Sequence, residues 1–171
     1  MWLKAVLFTL VVPGTVLGLV PGLLLADGHG RVPHSLGPTE ILGMGIALAG
    51  AALYASCLHA FVTVGQGTPA PIAAPRELVA VGAYRYVRNP MYVAVLAVVG
   101  GEAALFRSSW LEVYAGILFV AFHLFVTQYE EPSLRRRFGE SYEAYGARVP
   151  RWMPRVLRVV SHQGSGTRGP D

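Results

Sequence analysis

Two stretches of this chain carry residue types that chemistry needs. In the first, Tyr84-Arg85-Tyr86-Val87-Arg88-Asn89-Pro90-Met91-Tyr92, two guanidinium groups stand three residues apart among tyrosines. A short turn there would present cations and ring faces together. The second is the carboxylate pair Glu130-Glu131, with His123, Thr127 and Glu130 spaced i, i+4 and i+7. On a helix that spacing makes one polar stripe, descending roughly 10 Å from the glutamates, and such a stripe implies a pocket. Adjacent carboxylates repel and need cations close by, for which Arg85, Arg88 and Arg148 are the candidates. Plainer readings compete: a basic flank with aromatic residues anchoring a helix at a membrane interface, and an interhelical hydrogen bond for His123.

The elements that must position these residues are membrane helices. Of the 171 residues 53% are hydrophobic and only 14% charged, against about 25% charged in an average soluble domain. Spans are expected near 5–25, 41–64, 91–106 and 110–129, each apolar and long enough, or nearly so, to cross the bilayer core. Pro13 and Pro21 predict a kinked first span, retained rather than cleaved as a signal peptide. Gly43, Gly45 and Gly50 supply small faces on the second. Asn89-Pro90 starts the third, since proline needs no donor in a first turn, and Arg107-Ser108-Ser109 turns it into the fourth as an antiparallel hairpin. Leu134, Phe138, Tyr142 and Tyr145 then recur at helical spacing, predicting one amphipathic interfacial helix over 131–145.

The fold expected is therefore all-α: a polytopic membrane protein of about four transmembrane helices plus a cytoplasmic amphipathic C-terminal helix. It forms a single domain over 1–160, with an extended Gly/Pro strap over 65–75 and a disordered tail over 161–171. Four spans put Lys4, Arg76, Arg85, Arg88 and the eight arginines from 135 onward on one face, and leave Arg31 and Arg107 on the other. Twelve basic residues against two predict that both termini and both polar stretches are cytoplasmic. The basic residues flank hydrophobic spans, so lipid headgroups explain them and nucleic acid does not. A single cysteine, Cys57, excludes a disulfide framework and a cysteine-based zinc site. His29 and His34 lie in a Gly/Pro loop without further ligands and read as solvated, so no metal site is expected.

The same residues resemble a known family. Gly82-x-Tyr84-Arg85-x-x-Arg88-Asn89-Pro90-Met91-Tyr92, then Glu130-Glu131, then Phe138-Gly139-Glu140-x-Tyr142-x-x-Tyr145 and Arg148-Val149-Pro150 are similar to the isoprenylcysteine carboxyl methyltransferases. They are similar also to the wider group of integral-membrane methyltransferases that includes phospholipid methyltransferases. Asn89 stands where that family often has histidine, and Ala94 where it commonly has glycine.

The resemblance implies an S-adenosylmethionine-dependent enzyme that methylates a lipophilic or small carboxylate, thiol or amine acceptor, with membrane lipids around it. It implies a cofactor site drawn from Tyr84, Arg85, Arg88, Asn89, Pro90, Tyr92, Glu131, Tyr142 and Tyr145. Arg148 would orient an anionic acceptor; Glu130 or His123 would take a proton from a thiol or amine. The alternative is a non-catalytic membrane protein of the same fold, a lipid-binding or assembly factor.

Overall fold

In a computed structural model of the chain, residues 2–33, 35–65 and 77–154 are described. Residues 66–75 of the strap expected over 65–75, His34, Arg76 and the tail over 161–171 lie outside them.

The described residues form helices and connecting turns. The first span runs from α1 (Trp2–Gly14) through a π turn (Thr15–Leu19) into α2 (Val20–Ala26). The two prolines widen this helix locally instead of breaking it. The Tyr114 hydroxyl donates to the Val16 carbonyl at 3.1 Å, so a neighbouring helix satisfies backbone that the irregular turn frees. Next comes α3 (Pro38–Thr63), followed by a 3-10 turn (Gly82–Arg85), α4 (Pro90–Leu105) and α5 (Ser109–Phe125). Three helical stretches, Trp2–Ala26, Pro38–Thr63 and Ser109–Phe138, are long and apolar enough to cross a membrane, and α4 is a shorter apolar helix. The expectation of a polytopic, all-helical membrane protein holds.

The core of the bundle is the α3–α4 contact, and small residues make it. A Cβ on Gly43 would sit 2.7 Å from the Gly101 carbonyl oxygen, and one on Gly50 2.8 Å from that of Ala94. These backbones approach too closely for any side chain. Ala94 itself is fully buried. The α4–α5 hairpin closes as expected: the Ser108 hydroxyl caps α5, accepting from the Leu111 amide at 3.3 Å. Arg107 at the same turn pairs with Glu40 at the start of α3, and the Arg31 amide donates to the Phe106 carbonyl at 2.7 Å.

Beyond α5 the structure differs from the single interfacial helix expected over 131–145. A second π turn (Val126–Glu130) joins α5 without interruption to α6 (Glu131–Phe138), and α7 (Glu140–Arg148) follows. The break falls at Gly139, with φ 52° and ψ −129°, a backbone conformation that side-chain-bearing residues rarely adopt. Helical periodicity continues across this glycine and conceals the change of direction. Tyr142, Tyr145 and Val149 pack on Leu134 and Phe138 of α6 and on Leu78 and Ala80 of the segment before the 3-10 turn.

Candidate functional site

The two polar stretches meet. Glu130 closes the π turn and Glu131 opens α6, so the irregular turn decides where both carboxylates point. Tyr84, Arg88 and Asn89 from the first stretch line the same cavity as Glu130, Glu131, Tyr142 and Tyr145 from the second. Its apolar wall includes Phe61 from α3 and Phe138 from α6.

Glu131 is the electrostatic centre, with a side chain only 7% exposed. Arg151 grips it with two parallel hydrogen bonds, Nε to Oε1 at 2.7 Å and Nη2 to Oε2 at 2.9 Å. Arg88 Nη1 lies 3.2 Å from Oε1. A bidentate guanidinium fork is the strongest partner a carboxylate has. Arg151 is in turn charged more firmly: its hydrogen bonds to Glu131 push its pKa up. Glu130 has a different partner, accepting from the Tyr92 hydroxyl at 2.8 Å.

Backbone ties hold the two stretches together. The Arg88 amide donates to the Pro150 carbonyl at 2.8 Å, and Asn89 Nδ2 donates to the Arg151 carbonyl at 3.2 Å. The Tyr145 hydroxyl donates to the Tyr84 carbonyl at 2.7 Å. Burial pushes the phenols of Tyr84, Tyr142 and Tyr145 up, so near neutral pH they are protonated hydrogen-bond donors.

Not every residue expected at the site reaches it. Pro90 is buried at the first position of α4, shaping the helix start. Arg85 is exposed and does not line the cavity. Arg148 is also exposed, and its Nε donates to the Ala144 carbonyl one turn back at 3.1 Å. The last residue of α7, it does not line the cavity, and Arg151, three residues on, pairs with Glu131 where Arg148 was a candidate. His123 is diverted too. Its Nδ1 accepts from Trp152 Nε1 at 3.3 Å, which assigns the remaining ring proton to Nε2 and leaves no free lone pair for a base. The Thr127 hydroxyl donates to the His123 carbonyl at 2.7 Å. Of the expected stripe only Glu130 lines the cavity, because the i+7 spacing presumed a regular helix and the π turn intervenes.

Arg151 and Trp152 are the residues that sequence reasoning missed. They follow Val149-Pro150 where periodicity has ended. The available signal was electrostatic: a buried carboxylate pair demands cations, and Arg151 is among those nearby in sequence.

The cavity is about 50 Å³, room for a few waters. Its donor set matches a zwitterionic, aromatic ligand: the buried Nε of Arg88 has no partner among the described residues, Glu130 retains accepting capacity, and tyrosine rings form the walls.

A helical membrane protein with a charged cleft at one end of its helix bundle is the class that fold and site define. The family model for phospholipid methyltransferases matches residues 38–141, and the chain belongs to that family. The match takes in α3, the first polar stretch, the hairpin, both glutamates and Gly139. The family's reaction is methyl transfer at a membrane, in accord with the wider group that the motifs resemble. No curated protein and no solved structure matches the chain.

Proposed function

We propose that the protein is an S-adenosylmethionine-dependent methyltransferase whose acceptor reaches the cleft from the lipid. The observation that carries this reading is the convergence of Arg88 and Asn89 with Glu130 and Glu131 around one cavity, across an intervening transmembrane hairpin. The cofactor would supply an electrophilic methyl group on a sulfonium. Arg88, whose buried Nε lacks a partner among the described residues, would hold its carboxylate. Glu130 would accept from its ammonium or ribose hydroxyls, and Tyr142 and Tyr145 would flank the adenine or sulfonium by stacking and cation–π contact. Glu131, saturated by Arg151 and Arg88, would act as the anchor that fixes Arg88 and not as a direct ligand.

Methyl transfer depends on aligning nucleophile, methyl and sulfur where water is scarce, and a small cleft with apolar walls at Phe61, Val79, Leu134 and Phe138 serves that need. With an amine or thiol acceptor, Glu130 is the group placed to take the proton, since the Nδ1 of His123 is engaged by Trp152. The positive-inside bias supports a cytoplasmic cleft and cytoplasmic termini.

The small cavity favours a second reading, a non-catalytic lipid-binding relative of the enzymes. Equilibrium binding of labelled S-adenosylmethionine to the detergent-purified protein separates the two. Saturable binding weakened at least about tenfold by Glu130→Gln supports the enzyme; no saturable binding removes it.

A further inference from the structure

Residues 149–154, which follow α7, form no helix, yet they carry the ties that join the two polar stretches. Pro150 offers its carbonyl to the Arg88 amide, and Arg151 offers its carbonyl to Asn89 and its fork to Glu131. These bonds last only while the segment itself is held. Val149 pins its start against Tyr142 and Tyr145, and Trp152 pins it just beyond Arg151.

Trp152 docks on α5. Its Nε1 donates to His123 Nδ1 at 3.3 Å, its ring stacks on that imidazole with centroids 6.2 Å apart, and its centroid is 5.4 Å from that of Phe119. It also meets the Tyr92 ring edge to face at 6.5 Å, within the range over which aromatic pairs attract. Tyr92 is the phenol that donates to Glu130. The indole therefore stands behind a partner of each glutamate, next in the chain to Arg151 and in contact with Tyr92. Trp152 is half-buried and does not line the cavity, so its effect on a ligand there passes through these neighbours. Ring contacts tolerate a range of offsets. The single indole N–H on a single imidazole lone pair fixes one register.

Resting on the methyl-transfer reading, we infer that Trp152 is a positioning residue of the site. Bonded to His123, it sets residues 150–152 against α5 and thereby fixes the Arg151 fork and the Tyr92 phenol that orient the two carboxylates.

The test uses the full chain in detergent and two readouts. Hydrogen exchange at the Arg88 amide, localised by mass spectrometry with fragmentation, reports whether the Pro150 carbonyl keeps its place, with no cofactor present. Equilibrium binding of labelled S-adenosylmethionine reports whether the site is set. Trp152→Phe keeps a ring and loses the donor, and His123→Leu loses the acceptor; in His123→Gln the side-chain carbonyl restores one. Trp110→Ala is the control, since that ring packs on His29 at 4.8 Å near the opposite end of α5. Loss of the hydrogen bond is expected to speed exchange and weaken binding at least about fivefold in Trp152→Phe and His123→Leu, with His123→Gln and Trp110→Ala close to the parent. Unchanged exchange in both Trp152→Phe and His123→Leu, or an equal rise in Trp110→Ala, overturns the proposal. Faster exchange with parental affinity also overturns it and makes Trp152 a purely structural contact. A parent chain that binds no S-adenosylmethionine fails the methyl-transfer reading itself, and the positioning role falls with it even where exchange responds.

Discussion

Arg151 illustrates how one side chain can organise a site without lining it. Its fork neutralises a carboxylate that would otherwise be buried beside a second carboxylate, and its carbonyl accepts from Asn89. Arg151→Ala leaves Glu131 with the 3.2 Å contact to Arg88 alone. A hydrogen bond to a charged group contributes about 1.5–3 kcal/mol, so a loss of that order is expected in a thermal melt of the detergent-solubilised protein. Arg151→Lys should recover only part, because an ammonium cannot span both oxygens. Arg148→Ala should change stability by no more than about 0.5 kcal/mol, as exposed positions usually do, and should leave methyl transfer intact. Loss of transfer with normal folding would return Arg148 to the acceptor role that the motif implied. At this scale sequence was informative about residue types and identified one partner of the glutamates, Arg88, but not the main one, Arg151. The need of Glu130-Glu131 for cations was legible, yet the choice among Arg85, Arg148 and Arg151 turns on helix direction after residue 138, which spacing does not encode.

Among the elements, the spans were readable because hydropathy and length determine them, and the α3–α4 contact because Gly43 and Gly50 signal close approach. The irregular turns were not. Nothing in Val126-Thr127-Gln128-Tyr129-Glu130 marks a π turn, and the apolar positions before and after Gly139 keep a helical rhythm although the chain changes course there. That glycine sets where α7 sits, and through α7 the placement of Tyr142 and Tyr145. Gly139→Ala places a side chain at φ 52°, a strain of about 1–3 kcal/mol. A lower melting temperature is expected, together with weaker S-adenosylmethionine binding; a variant that melts lower but binds the cofactor as tightly as the parent would show that α7 does not shape the donor site.

For the whole molecule, the distribution of charge predicts its orientation. Cysteines introduced at Ser35 and at Glu143, both exposed, in a background with Cys57→Ala, should react with a membrane-impermeant maleimide from opposite sides. The residue-143 thiol should label from the cytoplasm, and labelling of both from one side would refute the four-span topology. The unbroken run from Ser109 to Phe138 carries a mechanical consequence. The carboxylates ride on the same rod that crosses the bilayer, whereas Arg88 precedes a different and shorter helix. A rod too long for the surrounding acyl chains tilts, and tilting it slides the glutamates past the arginine. Turnover should therefore pass through an optimum as the host lipid's chain length is varied, and a flat profile across thin and thick bilayers would mean that the two walls move as one.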